Sequence, residues 1–91
     1  MAPEAVAVIT GDLIASTKRS ASEIDAAMQA IRDAAATIAG WNTPSTDSRF
    51  TRYRGDGWQI ILASPRYALR AAVLIQGKLI ALGMESRIFA G

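Results

Sequence analysis

The stretch Ser48-Arg-Phe-Thr-Arg-Tyr-Arg-Gly-Asp-Gly-Trp-Gln-Ile-Ile-Leu-Ala63 contains two strand-like segments separated by three small or acidic residues. Residues 48–54 are aromatic and threonine-bearing, and residues 58–63 are rich in isoleucine. Aromatic and β-branched residues favour strands, and the intervening Gly55-Asp56-Gly57 is typical of a tight turn. We therefore predict a β-hairpin in the second half of the chain.

A strand and a helix are predicted before this hairpin. Residues 5–9 form a small, β-branched apolar run, which predicts a buried strand that breaks at Gly11-Asp12. Ser20-Ala-Ser-Glu23 matches a capping box, and the apolar residues after it recur at spacings of three and four until Gly40. This pattern predicts an amphipathic helix. Residues 41–48 are rich in Asn, Thr, Pro and Ser, which indicates a surface connection.

A second helix and a last strand are predicted after the hairpin. Ser64-Pro65 supplies an N-cap and a proline at the first helical position, and an apolar helix is expected from there to Gly83. Gly77 lies in the middle of this helix, where glycine is unfavourable, so we expect close packing against the sheet or a partner. Residues 85–90 predict a short strand.

The resulting order, strand-helix-strand-strand-helix-strand, is that of a ferredoxin-like βαββαβ unit in the α+β class. We expect residues 1–91 to form a single domain with a four-stranded antiparallel sheet, two helices on one face, and the first and last strands at its centre. The other face of the sheet would then be bare. Because outward apolar side chains would remain exposed there, we expect a homodimer; the candidates are Phe50, Tyr53, Trp58, Ile60 and Ile61.

Composition excludes several classes of function. The chain has no cysteine and no histidine, which removes zinc fingers, Ser-His and Cys-His triads, and haem or iron–sulfur ligation. Apolar runs are short and the start carries no signal-peptide pattern, so we expect a cytoplasmic protein without a membrane partner. Five arginines and one acid lie between Arg49 and Arg70, but the strands lack the spaced aromatics of an RNA-recognition motif. We expect no nucleic-acid partner.

Two aspartates are the candidate site residues. Asp12 follows the first predicted strand and precedes small and hydroxylated residues whose backbone N–H groups could cradle a phosphate. Asp56 lies in the hairpin turn. Each could be an ordinary turn residue, but the predicted topology brings both to the same edge of the sheet. Two neighbouring carboxylates repel each other unless a cation lies between them, and magnesium suits such a site.

The segments Val8-Ile-Thr-Gly-Asp-Leu-Ile-Ala-Ser-Thr17 and Arg52-Tyr-Arg-Gly-Asp-Gly-Trp-Gln-Ile-Ile-Leu62 resemble the two metal-binding segments of class III nucleotide cyclase domains. The start also resembles that of bacterial SatD-like proteins, a possible closer relative. The resemblance implies that Asp12 and Asp56 hold Mg²⁺ or Mn²⁺ and that Arg52 occupies the place of a base-reading lysine. It also implies that a nucleoside triphosphate contacts the backbone of Leu13, Ile14, Ala15, Ser16 and Thr17.

The cyclase residues that stabilise the transition state lie beyond the last strand predicted here, so no catalytic residue is assigned. The resemblance implies phosphorus–oxygen lyase activity only if a further C-terminal half supplies those groups. From the sequence we therefore expect a cyclase-like module that binds a nucleoside triphosphate and metal. The alternative is a non-catalytic, ferredoxin-like regulatory or dimerisation module whose aspartates only shape turns.

Overall fold

The computed structural model describes residues 7–14, 16–41, 49–53, 56–62 and 64–90. Its elements follow the predicted order, and short 3₁₀ turns at Ser16–Lys18 and Pro65–Tyr67 precede the two helices. The strands and helices are β1 (Ala7–Leu13), α1 (Ala21–Ala39), β2 (Phe50–Arg52), β3 (Gly57–Leu62), α2 (Ala68–Ala81) and β4 (Ser86–Ala90). The predicted connection over residues 42–48 and the turn residue Gly55 lie outside the described residues.

The four strands form one sheet in the order β2-β3-β1-β4, and all neighbouring strands are antiparallel. The predicted α+β fold with two helices is confirmed. The prediction that the last strand is central was wrong. Because β3 pairs with one side of β1 and with β2, β4 pairs with the other side of β1 and has β1 as its one neighbour among the described strands. The central strands are β1 and β3, and β4 is an edge strand.

The first strand also runs further than predicted. It does not break at Gly11-Asp12 but continues to Leu13, because it is paired on both sides. Asp12 lies opposite Gly57 of β3 and opposite Arg87 of β4. Asp12 is therefore a strand residue rather than a turn residue.

The core lies between the sheet and the two helices. Side chains alternate along β3, so that Trp58, Ile60 and Leu62 are buried while the residues between them are only half-buried. Trp58 and Ile60 therefore do not contribute to a bare sheet face, and Phe50 packs against the core as well. The apolar surface expected on the open face is correspondingly smaller.

The capping box of α1 is confirmed. Ser20 Oγ accepts a hydrogen bond from the Glu23 backbone N–H at 3.1 Å, and Glu23 Oε1 accepts one from the Ser20 N–H at 3.2 Å. Arg19 adds an ion pair to Glu23 at 3.1 Å. The hydrogen bond from the Ser20 backbone N–H, followed by that from the Arg19 side chain, lowers the pKa of Glu23 below its ordinary value of 4.5.

We expect Ser20→Ala to lower the free energy of unfolding by about 1 kcal/mol, because the Glu23 backbone N–H in the first helical turn loses the Oγ that accepts its hydrogen bond. The stabilisation by ionised Glu23 is present above pH 4.5 and is lost as the pH falls through its lowered pKa. Urea denaturation of Ser20→Ala at pH 7 checks the cap, and Glu23→Gln measured at pH 7 and pH 3 checks the carboxylate. A Glu23→Gln difference that does not shrink at pH 3 would contradict the role of ionised Glu23.

The second helix begins as expected near Ser64-Pro65, first as the 3₁₀ turn and then as α2. Gly77 does not pack against the sheet, which was one of the two predicted alternatives; packing against a partner stays a prediction. A Cβ atom built on Gly77 meets no atom within 4 Å, because this side of α2 faces away from the sheet. In the part of the chain that the structure describes, no helix is both long and apolar enough to cross a membrane.

Candidate functional site at the β1–β3 sheet end

The two aspartates are neighbours at the same end of the central strands. Asp12 pairs with Gly57, and the next N–H along β1, that of Leu13, donates to the Asp56 carbonyl oxygen at 3.1 Å. The sequence prediction that the topology brings these two positions together agrees with this register. That their carboxylates lie within about 8 Å and share a cation remains a prediction.

Asp12 is exposed on the face of the sheet opposite the helices, since its neighbours Gly11 and Leu13 are buried on the helix side. Its Oδ1 lies 3.4 Å from the point where a Cβ on Gly57 would stand. The missing side chain at Gly57 therefore leaves the space beside this carboxylate open.

Arg87 lies on the other side of Asp12. The two residues are direct partners in the β1–β4 register, so their side chains share the open face. Arg87 is exposed. Sequence reasoning missed this residue, because its position beside Asp12 follows from the register between β1 and β4, which no local pattern specifies.

The backbone of Asp12 is held from the helix side by a buried chain of hydrogen bonds. Trp58 Nε1 donates to Ser86 Oγ at 3.1 Å, and Ser86 Oγ in turn donates to the Asp12 carbonyl oxygen at 2.9 Å. Ser86 is only 4% exposed. Trp58 and Ser86 thus fix the position of the strand from which Asp12 projects.

The predicted phosphate cradle is only partly available. The Leu13 N–H donates to Asp56, and the Ile14 N–H donates to the Glu85 carbonyl oxygen at 2.8 Å, so both donors are used within the sheet. Ala15 lies outside the described residues, whereas Ser16–Lys18 forms the 3₁₀ turn.

Arg52 is not brought to the same face as Asp12. It lies opposite Trp58 in the β2–β3 register, which places it on the helix side. There its Nη1 forms an ion pair with Asp25 Oδ1 of α1 at 2.8 Å. A contact between Arg52 and a base bound beside Asp12 would require this pair to break.

Arg66 of the second 3₁₀ turn and Arg70 of α2 contact aromatic rings of the chain itself. The Arg66 guanidinium lies 4.8 Å from the Tyr67 ring centroid, and that of Arg70 lies 5.4 Å from the Trp41 ring centroid. Trp41 and Tyr67 also meet edge to face, at 5.6 Å. These contacts order the basic surface without a bound partner.

The donor set at the site is small. Among residues 7–14, 16–41, 49–53, 56–62 and 64–90, no group of three or more His, Cys, Asp or Glu side chains could hold a metal ion. Asp12 and Asp56 supply at most two carboxylates. This number fits Mg²⁺, which is commonly held by one or two carboxylates while water and phosphate oxygens complete its octahedron.

No protein-family model and no curated protein matches the sequence. Solved structures of class III guanylyl cyclase domains do match the fold. One is the guanylate cyclase domain of RhGC from Catenaria anguillulae in complex with GTP, with a TM-score of 0.63, 15% identity and 93% of this chain covered. Another is the guanylyl cyclase Cya2, with a TM-score of 0.61, 14% identity and 93% coverage.

The matched structures are longer than this chain, which spans 54% of the RhGC domain and 52% of Cya2. At this level of identity the similarity defines the fold. The 91 residues therefore have the βαββαβ architecture of a class III guanylyl cyclase domain over about half of the length of such a domain.

Proposed function

We propose that this chain is a cyclase-like module that binds a nucleoside triphosphate together with Mg²⁺ or Mn²⁺ at Asp12 and Asp56. The observation that carries the proposal is the placement of these residues at one end of the adjacent central strands β1 and β3. The cyclase-like fold supports it. The kinship with SatD-like proteins remains a prediction from the sequence.

The site divides into a metal part and a phosphate part. Asp12 and Asp56 hold the cation, and the triphosphate lies on the open face next to Arg87, whose guanidinium can donate two hydrogen bonds to phosphate oxygens in a fork geometry. The cation, when bound, neutralises the carboxylates and the phosphate oxygens. Residues 15–17 supply the rest of the cradle, since the Leu13 and Ile14 N–H groups are already used. Arg52 reads the base only if it leaves Asp25.

The proposal is for binding and stops short of catalysis. A phosphorus–oxygen lyase reaction needs groups that stabilise charge on the transferred phosphorus in the transition state. We assign no such group in the described residues, and the matched cyclase domains are about twice as long. Cyclase activity is therefore proposed only for a protein in which a further segment supplies those groups.

A non-catalytic regulatory or dimerisation module remains the second candidate. Two observations favour it: the Leu13 and Ile14 N–H groups are engaged within the sheet, and Arg52 is paired with Asp25. In either case we propose that the chain works as a homodimer.

Titration calorimetry with ATP and with GTP tests the proposed function. We expect saturable binding in the presence of Mg²⁺ or Mn²⁺ and at least about tenfold weaker binding in EDTA, because the carboxylates then repel the triphosphate. Arg52→Ala serves as a control and should leave the metal dependence intact. If no nucleotide binds with either metal, the regulatory module is the better assignment.

A further inference from the structure

One row of residues on the open face crosses all four strands of the sheet. Tyr53, which directly follows β2, donates its backbone N–H to the Gly57 carbonyl oxygen of β3 at 2.9 Å. Gly57 pairs with Asp12 of β1, and Asp12 pairs with Arg87 of β4. Because directly opposite residues of antiparallel strands share a face, these four positions form one line, which we call the open-face row.

Gly57 leaves a gap in the open-face row. A Cβ atom on Gly57 would stand 3.6 Å from the Cβ of Tyr53 and 3.4 Å from Oδ1 of Asp12, so these two side chains border the gap. The backbones of Tyr53 and Asp12 lie two strand spacings apart, or about 10 Å. Gly57, the residue between them in the row, has no side chain. A ligand can therefore lie between the Tyr53 ring and the Asp12 carboxylate and contact both.

The Tyr53 ring is available for such a contact, since the residue is 49% exposed. The rings of Trp41, Phe50 and Tyr67 each lie against an arginine of the chain. The Tyr53 ring, in contrast, makes no aromatic or cation–π contact with another described residue. An exposed aromatic face of this kind is a surface on which a nucleobase stacks.

We propose that Tyr53 stacks on the base of a nucleoside triphosphate, an inference that rests on the proposed nucleotide site at Asp12 and Asp56. The open-face row then follows the order of groups in the nucleotide. The base lies on Tyr53, the ribose crosses Gly57, and the phosphates lie at Asp12 and Arg87. The row spans three strand spacings, about 14 Å, which suits an extended nucleotide.

Stacking on Tyr53 does not require the neighbouring residue Arg52 to leave its partner. Arg52 lies on the helix side of the sheet, where it forms the ion pair with Asp25. Stacking uses the flat face of a base rather than its hydrogen-bonding edge, so we expect ATP and GTP to bind with similar affinity. UTP and CTP should bind more weakly, because a pyrimidine offers a smaller ring to Tyr53.

Phe89 is a second exposed aromatic residue on the open face, at 59% exposure. It pairs with Thr10 of β1, which in turn pairs with Gln59 of β3. Both of these partners carry side chains, so the line from Phe89 across the sheet has no gap like that at Gly57. We therefore assign the base to Tyr53, and Phe89 provides a matched control.

Titration calorimetry with two ligands in Mg²⁺ tests the assignment: ATP, and inorganic triphosphate, which has the phosphates without the base. Tyr53→Ala should weaken ATP binding at least about fivefold and leave inorganic triphosphate binding unchanged. Tyr53→Phe should bind ATP as the unsubstituted protein does, because the ring is retained. Phe89→Ala should leave both affinities unchanged.

The two ligands also separate the possible failures. If the unsubstituted protein binds neither ligand, the nucleotide site itself is wrong, and stacking on Tyr53 is wrong with it. If Tyr53→Ala keeps its ATP affinity, or loses affinity for both ligands equally, stacking alone is overturned and the metal site stands. A selective loss of ATP binding in Phe89→Ala would also overturn it, since the base would then lie at the other edge of the sheet. If Tyr53 only covers Gly57, Tyr53→Ala lowers the melting temperature and leaves the ratio of the two affinities unchanged.

Discussion

Gly11→Ala is expected to lower the free energy of unfolding by about 3 kcal/mol, a large part of the stability of a small domain. A Cβ on Gly11 would lie 2.5 Å from Cζ2 and 2.6 Å from Cε2 of Trp58. The indole cannot move aside easily, because it is 1% exposed and its Nε1 is bonded to Ser86. Backbone of β4 lies on the same side of Gly11, so the strand cannot shift that way either.

Gly77→Ala is the matched control, because it makes the same change where nothing lies within 4 Å. In the interior of a helix this substitution should raise the free energy of unfolding by about 1 kcal/mol. Guanidinium denaturation at low micromolar protein measures both variants without a contribution from association. Equal stability of Gly11→Ala and the unsubstituted protein would show that the Trp58 ring does not pack over Gly11.

The parts of the fold that could be predicted from the sequence are those that depend on neighbouring residues. The capping box at Ser20 and Glu23 and the hairpin strands on either side of Asp56 are local patterns, and the structure has both helices and all four strands in order. The position of β4 and the extension of β1 through Asp12 depend on pairing across the sheet. Sequence periodicity contains no information on which strand lies on which side.

The same limit applies to the site. Asp12 and Asp56 could be brought together from topology alone, because adjacent antiparallel strands share their ends. Arg52 could not be placed, since a shift of one residue in a strand moves a side chain to the other face of the sheet. Arg87 and Ser86 were missed for the same reason: their contacts with Asp12 come from residues more than 70 positions away in the chain.

Exposed apolar side chains lie both on the open sheet face and on α2. Of the residues expected on the open face, Trp58 and Ile60 are buried, whereas Tyr53 is 49% exposed; Phe89 on the same face is 59% exposed. The apolar surface of α2, formed by Leu69, Val73 and Ile80, was not expected. Helical spacing alone cannot identify the covered face when a helix is apolar on several sides, as α2 is.

The largest functional effect is expected from the two aspartates. Asp12→Asn and Asp56→Asn should each weaken Mg²⁺-dependent nucleotide binding at least about tenfold, or by about 1.4 kcal/mol, because an amide oxygen replaces a charged ligand without a change of size. In the absence of metal, each substitution should leave the melting temperature unchanged or raised. The reason is that removing one of two neighbouring carboxylates relieves their repulsion.

Asp33→Asn provides the control for this change of charge. Asp33 lies on the exposed side of α1, where its Oδ1 accepts from Gln29 Nε2 at 2.9 Å. The Asp33→Asn variant should bind nucleotide as the unsubstituted protein does, because salt screens the interaction between an exposed charge on α1 and a ligand bound elsewhere. Calorimetry and thermal denaturation on the three variants together separate the two assignments. If the two aspartates form a metal site, Asp12→Asn and Asp56→Asn lose nucleotide binding but keep their melting temperature, and Asp33→Asn keeps both. If the two aspartates only shape the strand end and the turn, their substitution lowers the melting temperature, and the unsubstituted protein shows no metal-dependent nucleotide binding.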